Sequence, residues 1–149
     1  PDGKPAPARV ADLHGKLKNE LGGSTYAQYG SLFVAKVAVD TGKLDDAASE
    51  LKAIADKPSN PTLGEIARQR LAQVLAAQNK ADEALKLLDG DADKAFVATR
   101  EELKGDLLVQ LGRTDEANAA YQKAKAALSD EAAVGGLQIK LDDLAKGDA

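Results

Sequence analysis

The 149-residue sequence predicts an all-α fold, a right-handed solenoid of three helix pairs flanked by an N-terminal helix and a C-terminal capping helix. Three observations lead there. Hydrophobic residues are 44% of the chain but aromatics only 3%, so the apolar content is mostly Ala, Leu and Val. Ala is the best helix former, with Leu, Lys, Glu and Gln close behind. Three segments also resemble one another: "GKLDDA" (42–47), "NKADEA" (79–84) and "GRTDEA" (112–117). Their alanines, Ala47, Ala84 and Ala117, are spaced by 37 and 33 residues, the scale of a stacked helix-pair repeat.

Each element follows in order. Residues 1–7 read as a linker or tether remnant, with "PDGKPAPA" as a possible cut end and room for a membrane segment upstream; 8–149 read as one domain. Residues 8–21 place Val10, Leu13, Leu17 and Leu21 on one helical face, and "GGS" ends that helix. "TYAQ" (25–28) and "TLGE" (62–65) match a capping box, in which Thr accepts first-turn amides and Gln or Glu reaches back. Pro61, the last residue of the loop "DKPSNP" (56–61), is expected just outside its helix.

The first helices of the pairs carry Val34, Val37 and Ala38, then Ala67, Leu71, Val74 and Leu75, then Leu103, Leu107, Leu108 and Leu111. The second helices carry Ala47, Leu51 and Ile54, then Ala84 and Leu88, then Ala117, Tyr121, Ala124 and Leu128. "DGDAD" (89–93) stops the middle one. Each turn begins with Gly or Asn, the residues that most readily take the left-handed conformation closing a helix. Its acids suit the positive end of the next helix. Ser129 is a candidate N-cap for residues 130–145, where Val134, Leu137, Leu141 and Leu144 recur. Gly135 and Gly136 weaken that helix by roughly 1 kcal/mol each relative to Ala.

Sites for chemistry are sparse. There is no Cys, hence no disulfide and no thiolate metal site. The net charge of −4 argues against nucleic-acid binding, which needs a basic face. No run is long enough to span a bilayer, and no signal-peptide pattern is present. His14, the only histidine, is expected at the surface or a boundary, since one His without Cys makes no usual zinc site. The pairs Asp45/Asp46, Asp82/Glu83 and Asp115/Glu116 belong to helix starts; Glu101/Glu102 and Asp142/Asp143 are adjacent on a helix and so point about 100° apart. "DGDAD" lacks the central Gly and closing Glu of a calcium loop. No catalytic, cofactor or metal residue is assigned, and the expected protein is not an enzyme.

What remains is a surface. Stacked helix pairs present a concave face lined by the first helix of each pair. Aligning the turns places Tyr29, Leu32 and Lys36 on it in the first pair, Gln69 and Gln73 in the second, and Glu102, Asp106 and Gln110 in the third. Phe33 is expected to face a neighbouring helix and Tyr29 to reach the groove. An alternative function is a self-associating scaffold, with Val134, Leu137, Leu141 and Leu144 forming the seam between copies.

The third pair, "LKGDLLVQLGRTDEANAAYQKAKAAL" (103–128), resembles a tetratricopeptide repeat through Gly105, Gly112, Ala117 and Tyr121, with Ala35 and Ala72 at the place of Gly105 in the other two. All three lack the aromatic of the fourth position. Over residues 8–145 the segments 24–51, 67–89 and 102–124, in that order, resemble the soluble domain of the YfgM family, ancillary subunits of the bacterial SecYEG translocon. The resemblance implies an inner-membrane protein with one N-terminal transmembrane helix, absent from this sequence, and a domain on the periplasmic side. It implies as partners the translocon subunits, the chaperone PpiD and nascent secreted chains. The family brings no catalytic residues.

Overall fold

The computed structural model describes residues 6–21 and 24–147. Among them are eight α-helices: α1 Pro7–Leu21, α2 Thr25–Asp40, α3 Leu44–Asp56, α4 Pro61–Ala77, α5 Ala81–Leu87, α6 Val97–Gln110, α7 Thr114–Ala126 and α8 Glu131–Gly147. A 3-10 turn, Lys94–Phe96, precedes α6. No strand occurs among the described residues. The chain divides into two compact units, Pro1–Gln78 and Asn79–Ala149. The first five residues of the expected linker, and the glycines of "GGS", lie outside the described residues, as does the side chain of Leu21.

The three repeated turns fold as their residues dictate. Gly42, Asn79 and Gly112 have φ of 75°, 62° and 71°, a left-handed backbone that glycine adopts without strain and Asn tolerates. At the first turn the Lys43 amide donates to Ala38 O (2.8 Å) and Gly42 to Val39 O (3.0 Å); at the third, Arg113 donates to Leu108 O (2.9 Å) and Gly112 to Val109 O (3.0 Å). This pairing absorbs the carbonyls a helix end leaves unsatisfied. Asp45 and Asp46, Asp82 and Glu83, and Asp115 and Glu116 then fill the first turns of α3, α5 and α7. Arg113 donates to both oxygens of Glu116, at 2.7 and 2.6 Å, which holds that carboxyl below its ordinary range and raises the guanidinium.

Helix starts differ from the expected capping boxes. Ser24, not Thr25, caps α2, its hydroxyl accepting from the Ala27 amide at 3.2 Å. Gln28 does not reach back. It is buried and spans to the α3–α4 loop, donating to Lys57 O and accepting from the Ser59 amide, both at 2.8 Å. Asn60 caps α4 through the Leu63 amide (2.9 Å), so Pro61 is the first helical residue rather than a flanking one. That position suits a residue with no amide hydrogen to satisfy. At α8, Asp130 rather than Ser129 accepts from the Ala132 amide, at 2.8 Å.

In unit 1, α1 packs on α2, α2 on α3 and α3 on α4. Ala47, Leu51, Ile54, Leu63, Ala67 and Ala72 are almost wholly buried. α1 is turned by about one residue from the expected face. Val10 and His14 are buried, whereas Leu13 is 52% exposed and Leu17 lies at the surface. His14 is therefore a core residue, because Ser31 of α2 meets it: Nε2 and the hydroxyl share a hydrogen bond of 2.7 Å. A buried imidazole with a partner avoids the desolvation cost of an unmade bond.

Unit 2 centres on α6 and α7, with α8 laid against α7. Leu108, Ala117, Ala120, Tyr121, Ala124, Leu137 and Leu141 form its core, with Leu144 packed on it. The Tyr121 ring lies where a Cβ on Gly105 would stand, so this glycine is a space requirement rather than a turn.

Candidate functional site

Unit 1 holds a groove of about 330 Å³ between α2, α3 and α4. Leu32, Ala35 and Val39 of α2, Leu51 of α3 and Val74 of α4 make it apolar, while Lys36, Asp40, Arg70 and Gln73 stand around it. Three residues picked from the turn alignment, Leu32, Lys36 and Gln73, thus meet at one depression. Leu32 is 6% exposed and belongs to the inner lining. Gln73 is exposed; Gln69, one turn earlier, is drawn back to donate to the buried Glu65 at 2.8 Å. Lys36 donates to Asp40 at 2.8 Å, so these two charges largely cancel. Arg70 meets no carboxylate at ion-pair distance among the described residues.

Along the outer side of α2 runs a stripe of exposed aromatics: Tyr26 at 76%, Tyr29 at 56% and Phe33 at 47%. The chain has three Tyr and two Phe in all, so most of its aromatic surface is gathered here. Their spacing of three and four residues puts them on one face. Tyr29, placed on the groove by the turn alignment, is exposed but not among the groove-lining residues. Phe33 does not face a neighbouring helix: the buried arc of α2 is taken by Ala27, Ser31, Leu32, Ala35 and Ala38, and Phe33 points away from it. Tyr26 was legible as well, one turn before Tyr29. Gly30, beside this stripe, faces α1: a Cβ there would reach Leu17 at 3.7 Å and His14 at 3.5 Å, ordinary contact distances.

The corresponding surface of unit 2 is occupied. Lys140 of α8 donates to Glu102 Oε1 at 2.8 Å and Asp106 Oδ1 at 2.7 Å, and stands 5.5 Å from the centre of the Tyr121 ring. Tyr121 donates its hydroxyl to the same Asp106 oxygen at 2.7 Å. Burial, then that hydrogen bond and the acidic surroundings, push the Tyr121 phenol well above its usual range. Burial works against the charge on Lys140, yet the two carboxylates outweigh it and raise the ammonium. Glu102 and Asp106 are thus brought together around an internal cation. Gln110 is exposed at the end of α6. Of the seam Val134, Leu137, Leu141 and Leu144, Leu137 and Leu141 are buried in the unit 2 core and Leu144 packs against it. Among the described residues no group of three His, Asp or Glu gathers closely enough to hold a metal.

A model of the tetratricopeptide repeat-like domain family matches residues 3–146. Among curated proteins, the chain is 31% identical over 131 residues to an ancillary SecYEG translocon subunit of Neisseria gonorrhoeae, spanning 87% of this chain and 62% of that protein. Against a protein of the same name from Escherichia coli it is 29% identical over 121 residues, spanning 81% and 59%. Against that of Buchnera aphidicola it is 26% identical over 119 residues, spanning 80% and 61%. The chain therefore covers about three fifths of the length of the curated relatives it matches. No helix among the described residues is long and apolar enough to cross a membrane.

Proposed function

We propose a docking function for this chain, which belongs to the tetratricopeptide repeat-like domain family. The chain is a non-enzymatic protein-interaction module of a translocon-associated protein, working on the periplasmic side of the bacterial inner membrane. Its partners are translocon subunits, the membrane-anchored chaperone PpiD and emerging secreted chains. The relatives named as translocon subunits support the setting, and their similarity spans most of this chain. One observation carries the mode of action. In a protein so poor in aromatics, Tyr26, Tyr29 and Phe33 are exposed together on α2, the helix whose Leu32, Ala35 and Val39 line an apolar groove. Aromatic side chains dominate binding hot spots because they bury much area at little entropic cost. Leaving three in water is costly unless something covers them.

The test is site-specific photocrosslinking in bacterial envelope, with a photoreactive residue at Gln73 in a membrane-tethered form of the protein. Crosslinks to translocon subunits, to the chaperone or to nascent chains are expected. A probe at Lys52, exposed on α3, serves as reference. Crosslinks from Lys52 with none from Gln73 would remove the groove from the function.

A further inference from the structure

The kind of partner can be narrowed, on the docking reading above. We propose that the α2 face of unit 1 receives an amphipathic helix of a partner protein, its apolar side packed on Tyr26, Tyr29, Phe33 and the groove, its acidic edge set against Arg70.

Length comes first. From Tyr26 to Val39, which lines the groove, α2 rises about 20 Å at 1.5 Å per residue. That matches four turns of a facing helix. The composition of the face is the second point. Residues 24–35, "STYAQYGSLFVA", contain no charged side chain, so nothing along this stretch needs an ion to answer it. Apolar side chains at i, i+3, i+4 and i+7 would set their ridges beside Tyr29 and Phe33.

Why a helix and not a strand follows from hydrogen bonding. Every described element bordering this face is itself an α-helix, with no strand edge to pair with among the described residues. An extended peptide would lose water from its amides and carbonyls and find only a few side chains, such as Gln73, in return. A helix arrives with its backbone already satisfied.

The sign of the charge follows from the groove. Lys36 and Asp40 neutralise one another through their 2.8 Å bond, leaving Arg70 as the uncancelled charge among the lining residues. A carboxylate on the incoming helix would answer it with bidentate geometry; a lysine would be repelled.

The experiment uses the whole 149-residue chain and three fluorescein-labelled 17-residue peptides, read by anisotropy at low salt. All three repeat Leu at helical spacing on an Ala background, with Glu, Gln or Lys at the flanking positions. Binding is expected in the order Glu, Gln, Lys, the first and last differing by about tenfold. Arg70→Glu should invert that order. Phe33→Ala should weaken the Glu peptide by about tenfold, in line with a hot-spot aromatic. Each substitution is at an exposed position, and circular dichroism checks that the fold is kept. Equal affinities, an order that Arg70→Glu leaves in place, no loss from Phe33→Ala, or no binding at all would each overturn the proposal. If Gln73 still crosslinks to envelope proteins in that case, the docking function stands and only the nature of the partner is wrong. If those crosslinks are absent too, both fall.

Discussion

α2 and α6 hold the same place in their hairpins, yet one is open and the other is closed. Counting from the small residues Ala35 and Gly105, Leu32 corresponds to Glu102, Lys36 to Asp106 and Phe33 to Leu103. On α2 the sixth position, Phe33, is exposed; on α6 its counterpart Leu103 is buried. On α6 the acids at the fifth and ninth positions are bridged by Lys140 from α8. The difference shows that repeat register says where a side chain can point, while the next element in the chain decides whether that surface stays available. A helix that closes a unit must cover its neighbour, and α8 does so partly with charge.

The sharpest way to break this comparison is through glycine. A methyl at Gly105 would enter the Tyr121 ring, which is itself wedged in the core. Gly105→Ala should therefore destabilise unit 2 by about 1–3 kcal/mol, the usual cost of overpacking. Gly30→Ala meets only ordinary contacts at 3.5 and 3.7 Å and should raise stability by up to about 1 kcal/mol, the helix-propensity difference. Hydrogen exchange can assign each effect to its unit. A Gly105→Ala protein as stable as the parent would show that Tyr121 has room to move, and that the tight approach of α6 and α7 is dispensable.

A smaller effect is expected at Lys140. Its bonds to Glu102 and Asp106 are partly exposed, so Lys140→Met should cost about 1 kcal/mol or less. Its pH dependence has a definite sign. Lys140 and Tyr121 both have raised pKa values in the folded state. The folded protein thus holds these protons more tightly than the unfolded chain, and stability falls as pH rises. Their contribution is complete below the ordinary lysine and tyrosine range and is lost above it. Melting curves for parent and Lys140→Met should differ at pH 7 and converge under strongly alkaline conditions. A gap that widens with pH would mean the clamp is not what ties α8 down.

What the sequence revealed, and what it hid, follows from range. The three turns were legible because a left-handed residue is demanded locally, and Gly42, Asn79 and Gly112 supply it. The buried stripes of α3 and α7 were legible because periodicity alone places Ala47, Leu51, Ile54, Ala117 and Tyr121 inward. The caps slipped by a residue or two, since Ser24 and Asn60 compete for the role with Thr25 and Thr62, and similar oxygens decide by geometry. The face of α1 differs from the expected one because a histidine counts as polar in any periodicity; Ser31, 17 residues away, and Glu50, 3.8 Å from the same nitrogen, make its burial tolerable. Lys140 was invisible as a partner of the predicted surface residues, being 34 and 38 positions from them. Most of the fold was legible locally. Only part of the candidate site was, because its availability depends on contacts distant in sequence.

The smallest expected effect sharpens the comparison most directly. Phe33→Ala and Tyr29→Ala remove large side chains, a change that costs about 3–5 kcal/mol for a buried Phe or Trp. Both residues are about half exposed and lie off the buried arc of α2, so each should change stability by no more than about 0.5 kcal/mol. Tyr121→Phe, by contrast, leaves the ring in place and removes only the hydroxyl bonded to Asp106, yet should cost about 1 kcal/mol. Denaturant midpoints of the three variants test this inversion, in which the smaller change does the greater harm. If Phe33→Ala proves as damaging as a core truncation, the α2 stripe is part of the hydrophobic core, and its exposure can no longer support a docking surface. If stability holds while partner binding drops, the aromatics of unit 1 are maintained for what they touch outside the chain, and those of unit 2 for what they hold within it.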